Sequence, residues 1–295
     1  MSEPVIILDG LVKSYGKRRG VEGITFSVNS GEIFGFIGPN GAGKSTTIRT
    51  LMGLLKPSAG HASIFGLDCS QCAAEIAKNV GYLPSENCYY NHLKVKEMLQ
   101  YTADLYGIDG KGRMTELAER LNLDLSRKIR DLSLGNKKKV GIISALIPTP
   151  KLLIMDEPTS GLDPLIQQTF YDILREENER GMTIFLSSHV LSEVQKLCNR
   201  VAILREGKLV SIQSMDALRG NGYKKISLTT TETIADSFFS FPGVANLERS
   251  KDKNSVSFMF SGNTMTIMDR LHQLKLEDIL IEEPSLEEIF LHYYE

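Results

Sequence analysis

Apolar residues in this chain fall into short runs, each closed by glycine, proline or a polar cluster. VIILDGLV (5–12) and ITFSV (24–28) predict strands of an antiparallel layer. EIFGFIG (32–38) is apolar, β-branched and aromatic and ends in glycine, so it predicts a buried strand. A glycine-rich loop follows, then a helix from about Gly43. HASIFG (61–66) and VGYLP (80–84) are further short strands. Residues 94–147 carry Met98, Leu99, Thr102, Leu105 and Tyr106 at helical spacing and predict several helices. Buried-strand character returns in KLLIMDEP (151–158) and MTIFLSSH (182–189), each followed by a helical stretch. VAILREGKLVSI (201–212) predicts a hairpin turning at Glu206–Gly207.

Glycine and asparagine cluster in RGNGYKK (219–225), where the pattern restarts. KISLTT, TIADSFFSF, VANLERS, SVSFMF, a helix from about Thr264 and LEDILIEE then read β-α-β-β-α-β, a ferredoxin-like order. Ser285 and Glu288 form a capping box for a last helix, with Leu286, Ile289, Phe290 and Tyr293 on one face. The expected division is a first domain over 1–218, with a helical subdomain at about 85–147, and an accessory α+β domain over 223–295.

Composition narrows the classes. With a net charge of −2, no global basic field points to nucleic acid. The N-terminus lacks the pattern of a signal peptide, and no apolar run reaches the ~18 residues of a membrane helix. The chain is therefore expected in the cytoplasm, with any membrane span supplied by another chain. Cys69 and Cys72 form a CxxC, but no second pair or histidine motif completes a zinc site, so they read as small semi-buried residues.

The strongest chemistry is GPNGAGKST: Gly38, Pro39, Asn40, Gly41, Ala42, Gly43, Lys44, Ser45 and Thr46. It lies between a buried strand and a helix, where glycines let backbone N–H groups converge on phosphates and the helix start adds positive dipole. Lys44 is placed for the β- and γ-phosphates, and Ser45 for Mg²⁺. LLIMDEP supplies Asp156 at a strand end as a second Mg²⁺ ligand. Glu157, pointing the other way in an extended chain, is placed to orient and deprotonate water. These two motifs alone describe a P-loop nucleoside triphosphate hydrolase that uses Mg²⁺.

LSLGN (132–136), SGLD (160–163) and the histidine of SSH (187–189) follow in order, and with them the chain resembles the ATP-binding subunits of ABC transporters over about residues 3–217. The resemblance implies a RecA-like α/β core with an antiparallel β layer and a helical subdomain. It implies that the nucleotide is ATP and that it lies between two chains head to tail, with the phosphate loop from one and the signature from the other. Ser133, Gly135 and Asn136 would then face the partner's γ-phosphate. His189 would steady the water with Glu157, Asp163 would cross the dimer, and Tyr15 would stack on adenine. It implies catalysis by positioning and electrostatics.

Two motifs depart from the family pattern, at three positions. Leu134 and Asn136 replace a glycine and a glutamine of the signature; a side chain at 134 can point away. Ser85 stands where the family carries glutamine or glutamate beside Mg²⁺ and is too short to span, leaving Glu86 or a bridging water to substitute. SLG, GLDP and EEPSLEEIFLHYY resemble a branch that exports drugs, peptide antibiotics, lipids or polysaccharides with a separate membrane permease. That implies a second ATP-binding subunit, in a homodimer, and a peripheral place on the inner face of the membrane. A helix of the permease would dock near residues 84–106, against Tyr89, Tyr90, His92 and Leu93. The alternatives are a soluble ABC ATPase of DNA repair, chromosome organisation or translation, disfavoured by the lack of a second phosphate loop, and a non-catalytic nucleotide-gated subunit, disfavoured by Glu157 and His189.

Overall fold

The computed structural model describes residues 3–16, 18–86, 88–220, 223–250 and 254–283. It separates into two units, Met1–Gln213 and Ser214–Glu295. The expected capping box at Ser285 and the stripe from Leu286 to Tyr293 lie outside the described residues.

The first unit opens with β1 (Pro4–Tyr15), β2 (Arg18–Asn29), β3 (Ile33–Ile37) and α1 (Lys44–Leu51). Then come β4 (Ala59–Ile64), β5 (Leu67–Asp68), α2 (Ala73–Ala77) and β6 (Val80–Leu83). Three helices follow, α3 (Val95–Tyr106), α4 (Lys111–Arg120) and α5 (Leu134–Leu146), with a 3₁₀ turn at Ile129–Asp131. The unit closes with β7 (Leu152–Asp156), α6 (Pro164–Glu179), β8 (Thr183–Ser188), α7 (Leu191–Leu197), β9 (Arg200–Arg205) and β10 (Lys208–Ser214).

Two sheets make its frame. The antiparallel layer has the order β2-β1-β4-β5, and the main sheet the order β10-β9-β3-β8-β7-β6. β9, β3, β8, β7 and β6 run parallel, and their apolar sequences are buried along the whole length of β3, β7 and β8. Phe26 of the antiparallel layer stacks on Phe34 with ring centroids 5.3 Å apart, and Phe36 and Phe185 complete the cluster between the sheets. Glu206 and Gly207 turn β9 into β10 with φ of 52° and 82°, the paired positive values of a tight hairpin.

Salt bridges pin α4 to the last turns of α6. Arg120 meets Glu176 through a two-pronged contact at 2.6 and 2.7 Å, and Arg113 and Arg180 both meet the buried Glu177. The Arg120 guanidinium holds the Glu176 carboxyl below its ordinary range.

The second unit contains α8 (Met215–Gly220), β11 (Tyr223–Thr230), β12 (Val244–Arg249), β13 (Ser255–Ser261), α9 (Thr264–Leu271) and β14 (Leu276–Glu282). Its strands are antiparallel in the order β12-β13-β11-β14, as the split β-α-β-β-α-β pattern requires. Ile226, Leu228, Val256, Phe258 and Phe260 pack under α9 through Ile267 and Leu271. The helix expected in TIADSFFSF is instead one 3₁₀ turn, Asp236–Phe239. Pro242 disfavours helical geometry at Phe241, and burial of Ile234 and Phe239 is achieved in a single turn.

Candidate functional site

The site lies at the carboxyl ends of β3, β7 and β8, where a parallel sheet leaves room for a ligand. After β3 the chain needs glycine for contact reasons. A Cβ on Gly38 would sit 2.3 Å from the Leu204 carbonyl oxygen, and Gly43 caps α1 with φ of 108°. No acidic residue stands in the first turn of α1 and no side chain caps it, so its leading amides are open to an anion. Lys44 is buried. Its Nζ donates to the carbonyls of Gly38 at 2.6 Å and Pro39 at 3.3 Å.

The acids arrive from the end of β7. Asp156 is fully buried and accepts from Ser187 Oγ at 2.7 Å through Oδ1, while Oδ2 is buried with no protein partner. That orphaned oxygen fits a cation or its bound water, and Ser45 at the start of α1 is the hydroxyl expected opposite it. The extended alternation expected at Asp156–Glu157 does not occur. Glu157 adopts φ of 51°, so a left-handed turn, not strand geometry, separates the two carboxylates. Such backbone costs about 1–3 kcal/mol and persists where surrounding contacts hold it. The Glu157 amide donates to Ser187 Oγ at 3.2 Å. Its Oε1 lies 3.2 Å from Lys44 Nζ and its Oε2 lies 2.7 Å from His189 Nδ1. The structure thus gathers Lys44, Asp156, Glu157 and His189 from three strand ends.

One residue with a clear part in this geometry was not singled out from the sequence. Glu193 on α7 is buried, accepts from Ser188 Oγ at 2.8 Å, and also accepts from Thr159 Oγ1. Thr159 follows Glu157 and Ser188 precedes His189, so one carboxylate fastens the segments that carry both. Its signal was an acid placed beside Val194 on the apolar side of a short helix.

The signature forms a separate constellation. Ser133 caps α5, accepting from the Asn136 amide at 3.3 Å. A Cβ on Gly135 would meet the Gly161 carbonyl oxygen at 2.6 Å, so this glycine allows α5 to start against the 160–163 loop. Leu134 is 84% exposed. Asp163 is exposed and caps α6 by accepting from the Ile166 amide at 3.0 Å. Among the described residues, no hydrogen bond or ion pair joins Ser133, Gly135 or Asn136 to the phosphate loop. Tyr15 is 43% exposed at the end of β1, with Lys13 Nζ 5.5 Å from its ring centroid. Tyr89 turns its hydroxyl inward, donating to the Lys137 carbonyl at 3.0 Å, while Tyr90 stays exposed in edge contact with Tyr101.

Cys69 is buried and its thiol is pushed up to about 12 by burial and then by Asp68. Among the described residues, Cys69 and Cys72 join no group of three or more metal-binding side chains.

Residues 21–160 match the family described as ABC transporter. The bacitracin transport ATP-binding protein BcrA of Bacillus licheniformis is 38% identical over 231 residues, 77% of this chain and 76% of that protein. The chain belongs to the ABC transporter ATP-binding proteins. A second relative of this ABC ATPase, the linearmycin resistance ATP-binding protein LnrL of Bacillus subtilis (strain 168), is 32% identical over 299 residues, 96% of each chain. A solved structure of an ATP binding subunit of an ABC transporter superposes with a TM-score of 0.69 at 32% identity, covering 73% of this chain and 92% of that one. This ABC ATPase therefore binds and hydrolyses ATP as a transporter subunit, on the P-loop fold that the motif order implied.

Proposed function

We propose that the chain is the ATP-hydrolysing subunit of an exporter, working as a head-to-tail dimer of two copies with a separate membrane permease. The observation that carries this reading is the division of the site. Lys44, Asp156, Glu157 and His189 converge at strand ends, whereas among the described residues Ser133, Gly135 and Asn136 form no bond with them. A chain with two half-sites completes them when a second copy supplies the missing halves.

In that dimer the amides from Gly38 to Thr46 cradle the phosphates, with Tyr15 on the adenine. Ser133, the Gly135 amide and the start of α5 at Asn136 give donors and positive dipole to the partner's γ-phosphate. Asp156 and Ser45 would hold Mg²⁺, with Ser85 acting through water or replaced by Glu86. When bound, the ion neutralises charge developing on the phosphate oxygens. Lys44 exchanges the Glu157 carboxylate for phosphate. The freed Glu157 orients the attacking water and accepts its proton, and His189 steadies the water. Asp163 lies on the loop that faces the partner. Closure follows ATP, and hydrolysis releases it.

No helix of the described residues is long and apolar enough to cross a membrane. The exposed Tyr90, Tyr101 and His92 are apt for a short helix of the permease, which would hold the chain on the inner membrane face. The relatives' names, bacitracin transport and linearmycin resistance, support an antibiotic as the exported class.

The test is complementation. Ser133→Arg and Glu157→Gln chains are each expected to be inactive, and their mixture to recover turnover at the composite site that combines their intact halves. A mixture as inactive as its components counts against the head-to-tail arrangement.

A further inference from the structure

The lysine run of α5 is not a solvated basic turn. Lys138 is 5% exposed and Lys139 7% exposed. Lys139 Nζ reaches the Asn122 carbonyl at 3.5 Å. Lys138 Nζ points to the chain segment leaving β6, donating to the carbonyls of Pro84 at 3.4 Å and Ser85 at 3.3 Å. Burial lowers the basicity of this amine, and the Asp156 and Glu157 carboxylates oppose that effect.

A buried ammonium is costly unless acceptors compensate it. Here the acceptors are two backbone carbonyls at the long end of hydrogen-bond range. Their position matters. Leu83 at the end of β6 pairs with Met155 on β7, so Pro84 and Ser85 leave the sheet beside Asp156. Lys138 stands on the helix that Ser133 caps. One side chain therefore joins the edge of the phosphate-facing site to the helix bearing the signature. A second tie runs the same way, from the Tyr89 hydroxyl to the Lys137 carbonyl. The Ser85 side chain is too short to make such a link itself.

We propose that Lys138 is a positioning residue that couples the two half-sites of one chain. Movement of the Pro84–Ser85 segment beside Asp156 carries the start of α5 with it, setting Ser133 and Gly135 for the partner's ATP. The inference rests on the two-chain reading above and names a residue through which the half-sites communicate.

The experiment compares Lys138→Gln and Lys138→Arg in the full chain, each also combined with Glu157→Gln. ATP affinity is measured at dilution where the chain is monomeric, and the dimer dissociation constant is measured with ATP and Mg²⁺. Lys138→Gln is expected to leave monomer affinity unchanged while weakening dimerisation about tenfold, an ordinary strength of coupling between sites. Lys138→Arg, which can still reach the carbonyls, is expected to restore it. A dimer constant within about twofold of the parent in Lys138→Gln overturns the coupling. Parallel loss of monomer affinity and thermal stability in both variants also overturns it, in favour of a purely structural lysine. If the Glu157→Gln chain with Lys138 intact stays monomeric in ATP, the two-chain reading itself falls, and the inference with it.

Discussion

The Lys44 ammonium and the Glu157 carboxylate lie 3.2 Å apart, and the second oxygen of that carboxylate lies 2.7 Å from His189. The lysine expected on phosphate and the acid expected on water are thus partners of one another. In the proposed mechanism, phosphate arriving at Lys44 competes with Glu157 for the same cation, which would tie release of the base to arrival of the substrate.

Glu157→Gln keeps the size of the side chain and removes its basicity. Turnover is expected to fall by about 10²–10⁴, the usual contribution of a positioned base. ATP binding is expected to persist, with a long-lived ATP-bound dimer visible by size-exclusion chromatography. A normal hydrolysis rate would exclude Glu157 as the base.

Gly135→Ala places a Cβ 2.6 Å from the Gly161 carbonyl, backbone that cannot swing aside. The start of α5 must shift from the 160–163 loop. ATP-dependent dimerisation and turnover are expected to drop strongly, with monomer nucleotide affinity kept. Leu134→Ala, at an exposed position, is the control and is expected to change stability by less than ~0.5 kcal/mol in chemical denaturation.

Glu193→Ala removes the carboxylate that holds Thr159 and Ser188. Leaving buried polar groups without a partner costs about 1–3 kcal/mol. Denaturation midpoints are expected to fall accordingly, and kcat to fall in steady-state assays because Glu157 and His189 lose their common support. An unchanged kcat would show that the two segments hold their positions without it.

Removal of residues 223–295 is expected to leave ATP affinity intact, since the phosphate loop, Asp156, Glu157 and His189 all belong to the unit ending at Gln213. Equilibrium nucleotide binding by the truncated chain checks this; lost affinity would make the second unit part of the ATP-binding fold.

Contiguous features were legible in the sequence. The phosphate loop spans neighbouring residues, and its glycines, lysine and hydroxyl declare their chemistry without reference to the rest of the chain. The apolar runs that became β3, β7 and β8 were equally plain, because strands buried on both faces tolerate little polarity. The segment 233–241 was harder. Its apolar spacing suits a helix, yet Pro242 and a small core left room for only one turn.

Local composition by itself determined the buried strands, the glycine loop and the identity of the charged groups. The tertiary structure decided which of those groups meet. Strand order brings Lys44, Glu157 and His189 from three separate strand ends to one place. A left-handed residue, not strand alternation, aims Glu157. Helix packing buries Lys138 and Lys139, two lysines of consecutive sequence on α5. The physical reason is that each contact depends on chain segments far apart in sequence. Hydrophobic periodicity specifies which face of an element is buried, but the partner across that face is chosen only when the sheets and helices pack.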